Sequence, residues 1–316
     1  ATIICKHLNV TGTLNGDDMV GGVNRPGIVN KQYGGSPHGG FGGDGGHGGN
    51  KMIYGSINRP ILFGSRSTGN WGIKKGGGAL RIVASSSVIV AKHGSITANG
   101  AAAGGNGQGG ASGGSILIES PILKLGGMIS ANGGDTSGEC CSGGGGGGRI
   151  GVHTRSLVWL EDEGSGNSDG SSSSSPSSAS LLVNGGRKLC CNPGSPGTLY
   201  LNASMLEDLF IPHGATLNNL VSVADDVVWK SIVVGGTLLL SGNVSTTSLN
   251  ISSTGIMTGV GLSISSLTEV HGRLTVSKSM SVPSLDISST GIMTLQNPSS
   301  TDSSGIILNV NGNMFV

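Results

Sequence analysis

Few residues in this sequence carry charge. Lys, Arg, Asp and Glu supply 11% of its 316 positions and nearly cancel, leaving a formal net charge of +1. That leaves no basic face for nucleic acid to neutralise and no acidic face for a cationic partner. Aromatics are scarcer still, at 3%, so Leu, Ile and Val must fill the core. No apolar run approaches the ~18 residues of a membrane span. Apolar residues nowhere recur for long at the helical period of 3.6, which excludes a helical architecture. With 35% hydrophobic residues and a mean hydropathy of +0.10, the composition also excludes a wholly disordered chain.

Cysteine occurs at positions 5, 140, 141, 190 and 191, never with the spacing of a zinc knuckle. The favoured reading is disulfides in an oxidising compartment, linking the pair Cys140 and Cys141 to the pair Cys190 and Cys191. Cys5 is then left for a neighbouring chain. Spacing leaves the connectivity open, and five buried reduced thiols are the alternative. Four N-x-S/T sequons, at Asn9, Asn202, Asn243 and Asn250, are candidate N-glycosylation sites and point the same way, toward secretion. A start at Ala1 with no signal-peptide pattern predicts a processed terminus or a piece of a longer product.

What the chain has in excess is glycine, 61 residues of 316. The tract from Tyr33 to Asn50 cannot be helical, since each interior Gly costs about 1 kcal/mol relative to Ala. It reads as a long excursion, either disordered or packed as extended backbone. Repeats follow. The pattern G-x-I-[ST]-A-N-G occurs at Gly94–Gly100 and again 33 residues later at Gly127–Gly133, and Gly-rich insertions separate the units. From Ser231 the sequence falls into rows of eighteen, and SLNISSTGIMT returns as SLDISSTGIMT after 36 residues. Apolar residues alternate within the rows, as strands require. The expectation is an all-β protein, a right-handed parallel β-helix (β-solenoid) with long Gly-rich loop excursions. An antiparallel sandwich with evenly spaced turns is the alternative. Residues 1–164 form a glycine-rich β-helix region and 165–198 a Ser-rich loop with a Cys-containing connection. Residues 199–316 form a regular solenoid of ~18-residue coils continuous with the first region.

The order HGGFGGDGGHGG, GGGALRIVA, HGSITANG, GGASGGSILIES, GGMISANGG and GGGGGGRIGVH, with YGS…RP…FGS between the first two, spans about Tyr33 to His153. It resembles the glycine-rich β-helical module of large secreted and cell-surface proteins of plants, protists and bacteria. The resemblance implies an extracellular structural or adhesive scaffold and supplies no catalytic residues.

Chemistry finds few footholds. Glycoside cleavage needs two carboxylates facing one bond. The acidic neighbours are Asp17/Asp18, Glu161/Asp162/Glu163 and Asp225/Asp226, and adjacent strand residues point to opposite faces. Glu161 and Glu163 would share a face but read as a solvated turn. His38 and His47 lie in the Gly tract without an oriented partner. No phosphate-binding loop, dinucleotide turn or nucleophile elbow fits. No catalytic residue, metal or cofactor is therefore expected. The expected function is that of an extracellular structural protein, a segment of a filament or surface coat. Its expected partners are copies of itself or other chains of the same assembly, with no nucleic acid and no membrane span in this segment. A carbohydrate-binding or polysaccharide-cleaving β-helix is the other reading, with glycans as partners. Ice binding lacks a sustained T-x-T column.

Overall fold

A computed structural model of the protein describes residues 1–18, 34–45, 52–69, 72–104, 107–137, 142–160, 179–187, 192–202, 206–221, 228–295, 307–310 and 314–315. The elements named among these residues are all strands. Twenty-three of them join one sheet whose pairings are all parallel, and a separate two-stranded antiparallel ribbon joins Ser67–Gly69 to Gly72–Lys74. Hairpins make antiparallel pairs, so a sheet paired only in parallel excludes the sandwich and leaves a coil that stacks on itself.

The aliphatic composition explains why the coils stack in register. One inward-facing column runs Leu14, Ile96, Ile129, Leu181, Leu217, Leu238, Met257, Leu274 and Met293, each opposite the next in a neighbouring strand. A second runs Leu80, Ile116, Ile150, Leu199, Leu220 and Leu240. Between Ile96 and Leu274 the first column is fully buried, and a single apolar cluster contains both. Burying a Leu or Ile this completely contributes roughly 1.5–3 kcal/mol each. No helix among the described residues is long and apolar enough to cross a membrane.

The 36-residue near-repeat proves to be two coils. Leu249 stands opposite Thr268, which stands opposite Leu285. The intervening coil therefore places a threonine in a hydrophobic column that also holds Leu209 and Ile232. Thr268 is fully buried, and its hydroxyl has no hydrogen-bond partner.

Glycine tracts form a second kind of core beside the coils. The described parts at 34–45, 107–114 and 142–148 are mostly buried. Of the two readings the sequence left for the first tract, packed extended backbone holds over 34–45. Residues 142–148 lie at the centre of the packing. Gly143 and Gly146 carbonyls accept from Gly110 and Gly113, both at 3.0 Å. Gly144 accepts from Gly43 at 2.8 Å, and Gly147 accepts from Gly39 and Gly40 at 3.0 and 2.9 Å. Gly145 and Gly148 accept from Gly186 and Thr198 at 2.7 and 3.0 Å. The N–H groups follow the same rhythm: Gly144 and Gly147 donate to Asn192 and Ser195, Gly145 and Gly148 to Gly134 and Ala131. A partner that changes with every residue and returns after three is the signature of a threefold, polyproline II-type segment with no internal hydrogen bonds. The sequence offers packed extended backbone for the first tract but not this threefold arrangement, in which the tracts pack against one another.

Side chains would not fit inside it. A Cβ on Gly145 would overlap the Ala111 carbonyl oxygen, and one on Gly144 the Gly186 carbonyl oxygen. Pro193 and Pro196 are exposed while Gly194 and Gly197 are buried, the same threefold spacing at the slab's edge.

Candidate functional site

Two polar places stand out on this frame. The first is a buried clamp between the glycine slab and the loop at 52–66. His38 is fully buried, and its Nδ1–H donates to the Gly113 carbonyl at 2.8 Å. Its ring lies 4.7 Å from that of Tyr54. Burial is the main reason its pKa falls to about 4, opposed by the bond to Gly113. The expectation that His38 lacks an oriented partner is thus corrected: packed glycine backbone aims it, where flexible sequence would not.

Arg149 is buried nearby, with Nε donating to the Tyr54 carbonyl at 3.0 Å and Nη1 to Thr198 Oγ1 at 2.8 Å. Burial lowers its pKa. Among the described residues no carboxylate pairs with it, so carbonyl and hydroxyl oxygens hold the cation. Further along, Ser115 Oγ donates to Leu62 O at 2.6 Å and Glu119 bridges Arg59 and Arg81. Asn202 Nδ2 donates to Nδ1 of His153, which leaves Nε2–H to donate to Asn58 O at 2.7 Å. Tyr54, Asn58, Arg59 and Leu62 tie the loop to residues of adjacent coils, and the contacts of Arg149 with Thr198, Glu119 with Arg81 and Asn202 with His153 tie those residues to one another. The cluster fastens a loop, and within it the buried Nε2 of His38 has no hydrogen-bond partner among the described residues.

The second place is a trough. Its origin is the A-N-G repeat, which stacks an asparagine at one corner of successive coils. Asn132 N–H donates to Asn99 Oδ1 and Asn184 N–H to Asn132 Oδ1, both at 2.8 Å. Asn218 Nδ2 donates to Asn184 Oδ1. A backbone N–H needs an acceptor, so the Oδ1 atoms of Asn99 and Asn132 face the ladder and the amino group of Asn132 points away. Next to the asparagines stand Gly100, Gly133 and Gly185, whose hypothetical Cβ atoms would all point into backbone. Three positions beyond each asparagine come Ala102, Asp135 and Arg187, all exposed. Asparagines on one side, this outer column on the other and glycine backbone beneath enclose about 310 Å³.

Asp17, one of the candidate acids, is the first rung of the ladder: Oδ1 accepts the Asn99 N–H and Oδ2 the Asn99 amino group. Asp18 is exposed, with a left-handed φ of 51° and a pKa raised chiefly by desolvation. One member caps a ladder and the other turns the chain, so the two do not form an acid–base pair. Glu161, Asp162, Glu163, Asp225, Asp226 and His47 lie outside the described residues, as do Cys140, Cys141, Cys190 and Cys191. Cys5 is a half-buried free thiol packed against the core. Of the sequon asparagines, Asn9 and Asn243 are exposed. Asn202 and Asn250 are half-buried, and Asn250 Nδ2 donates to Glu269 Oε2 at 2.6 Å.

Sequence reasoning set His38 aside and missed Arg149 and the pair Asp135 and Arg187. A signal existed for the first: His38, Phe41 and Asp44 are each followed by two glycines, a period of three. Arg149 carries none, because nothing local says that a loop from 52–66 will cover it. Compared with known protein families, curated proteins and solved structures, the chain matches none of them.

Proposed function

We propose that the chain is an extracellular structural scaffold, a segment of a filament or surface coat that assembles by stacking coil upon coil. The observation that carries this reading is the unbroken inner column and what happens at its first rung. Ile3, Cys5, Leu8 and Leu14 are half-buried, whereas their partners Ile82, Ala84, Val88 and Ile96 are almost wholly buried. Among the described residues the strand Thr2–Val10 pairs on one edge, with Ala79–Val90. An unpaired strand edge above a row of apolar side chains is a template for another chain. Repetition of such a contact with a fixed rotation produces a filament.

In this reading the coil winds right-handed, as connections between parallel strands of one sheet almost always do. The described glycine tracts serve as stiffening backbone. The sequons and the five cysteines support secretion, and the resemblance to glycine-rich surface modules supports the cell surface as destination. Negative-stain imaging and light scattering of the native protein over a range of concentrations test the proposal. Concentration-dependent oligomers or fibres are expected, and a monodisperse monomer at high concentration would sink it. The other reading, a carbohydrate-directed β-helix, is favoured by the trough.

A further inference from the structure

We infer that the trough binds an acidic oligosaccharide, a hydroxyl-bearing chain whose anionic groups are carboxylates or sulfate esters. The inference does not rest on assembly; either can fail alone. The first ground is which polar groups remain unused. The asparagine ladder consumes the Oδ1 atoms of Asn99, Asn132 and Asn184. Asn99 Nδ2 is taken by Asp17. Among the described residues the amino groups of Asn132 and Asn184 have no protein partner. The Arg187 guanidinium forms no ion pair among them either, and the Asp135 side chain uses one oxygen, which accepts the Arg187 N–H at 2.6 Å. The wall therefore offers two amide NH2 groups and a guanidinium fork as donors and one carboxylate oxygen as acceptor.

The second ground is arrangement. Asn132 and Asn184 occupy neighbouring coils, as do Asp135 and Arg187, with Gly133 N–H donating to Asn184 O at 2.8 Å and Thr136 N–H to Arg187 O at 3.0 Å. Donors thus repeat along the solenoid axis at the ~4.8 Å strand spacing. A linear ligand with a polar group on every unit matches a row of this kind. The glycine column keeps the floor free of side chains, so the ligand can lie against backbone. A volume near 310 Å³ is at the small end of ordinary ligand sites.

The third ground is chemistry. Donors outnumber acceptors, which selects a ligand rich in acceptor oxygens. The Arg187 fork favours a planar or tetrahedral oxyanion. Asp135 can be satisfied only by a ligand that also donates, which hydroxyl groups do. A polyphosphate chain without hydroxyls would leave that carboxylate facing like charge. Among the described residues no aromatic ring lines the trough, so recognition runs through hydrogen bonds instead of stacking.

Isothermal titration of the intact protein with oligogalacturonate, with a sulfated oligosaccharide, with a neutral cello-oligosaccharide and with poly-glutamate tests the inference. One or both of the acidic glycans are expected to bind, distinguishing carboxylate from sulfate, and the neutral glycan and the acidic peptide are expected to bind much more weakly. R187Q is expected to weaken binding roughly tenfold or more. N132D keeps the Oδ1 acceptor of the ladder, loses the free amino group and adds like charge, and is expected to weaken it similarly. D135N keeps its bond to the Arg187 N–H and removes the opposing charge, and is expected to strengthen binding. Opposite signs for D135N and R187Q cannot come from general loss of structure, and circular dichroism confirms folding of each variant. No binding of either acidic glycan, equal binding of the neutral glycan or of poly-glutamate, or wild-type affinity in R187Q would overturn the inference.

Discussion

Gly145 carries no side chain, yet it is among the least replaceable residues of the chain. A methyl group there would overlap the Ala111 carbonyl, whereas nothing lies within 4 Å of a Cβ on Gly104. Gly145→Ala is expected to cost about 3 kcal/mol or more, the upper range for overpacking. Gly104→Ala is expected to be neutral or slightly stabilising. Urea unfolding of both variants reads the contrast, and equal midpoints would show that the slab yields. Thr268→Val keeps shape and removes a buried hydroxyl without a partner, so a gain of about 1 kcal/mol is expected from the same measurement. His38 supplies a pH signature. Its folded pKa of about 4 lies below the unfolded value of 6.5, so between these limits the unfolded chain binds more protons. Stability is then fully present above pH 6.5 and declines as pH falls toward 4, by up to about 3 kcal/mol. A His38→Asn variant with an unchanged acid limb in its pH–stability profile would refute that attribution. Of these residues only His38 has a signal in the sequence, the three-residue period of its tract. Six glycines in a row look alike whether they flex or pack, and only the neighbours they meet decide.

Among elements, the strands were legible and the loops were not. Apolar alternation and the A-N-G repeat come from neighbours in sequence and led directly to parallel coils, whereas the asparagine corner emerges only from the stacking. The loop at 52–66 is held by Ser115, Arg149 and His153, from 53 to 95 residues away, and no local pattern encodes that contact. Gly151 helps for the same reason, since a side chain there would press on Pro60 and Asn58. Removing the Arg149 fork without changing volume much, as Arg149→Met, leaves the Tyr54 carbonyl and Thr198 hydroxyl without that donor. The expected cost is about 1–3 kcal/mol. Faster amide exchange is expected across 54–62, and exchange at the wild-type rate would mean that the other contacts hold the loop alone. Glu119→Gln, by contrast, weakens exposed ion pairs with Arg59 and Arg81 and is expected to cost under ~1 kcal/mol.

For the whole molecule, the rows of eighteen were readable and make the 36-residue near-identity two coils; that the coil between places Thr268 in an inner column shows only in the register. The trough followed from the same stacking: only after the coils are in register do Asp135 and Arg187, 52 residues apart, become neighbours. The glycine slab carries a consequence for heat. An ordinary core buries hydrocarbon, whose exposure on unfolding raises the heat capacity, whereas exposed peptide groups lower it. This protein sets a slab of bare peptide beside its aliphatic columns. Scanning calorimetry is therefore expected to give a heat-capacity increment below the usual ~12–15 cal/mol/K per residue. The stability curve would be correspondingly flat, so cooling toward freezing would weaken the fold less than it weakens a protein held together by hydrocarbon alone.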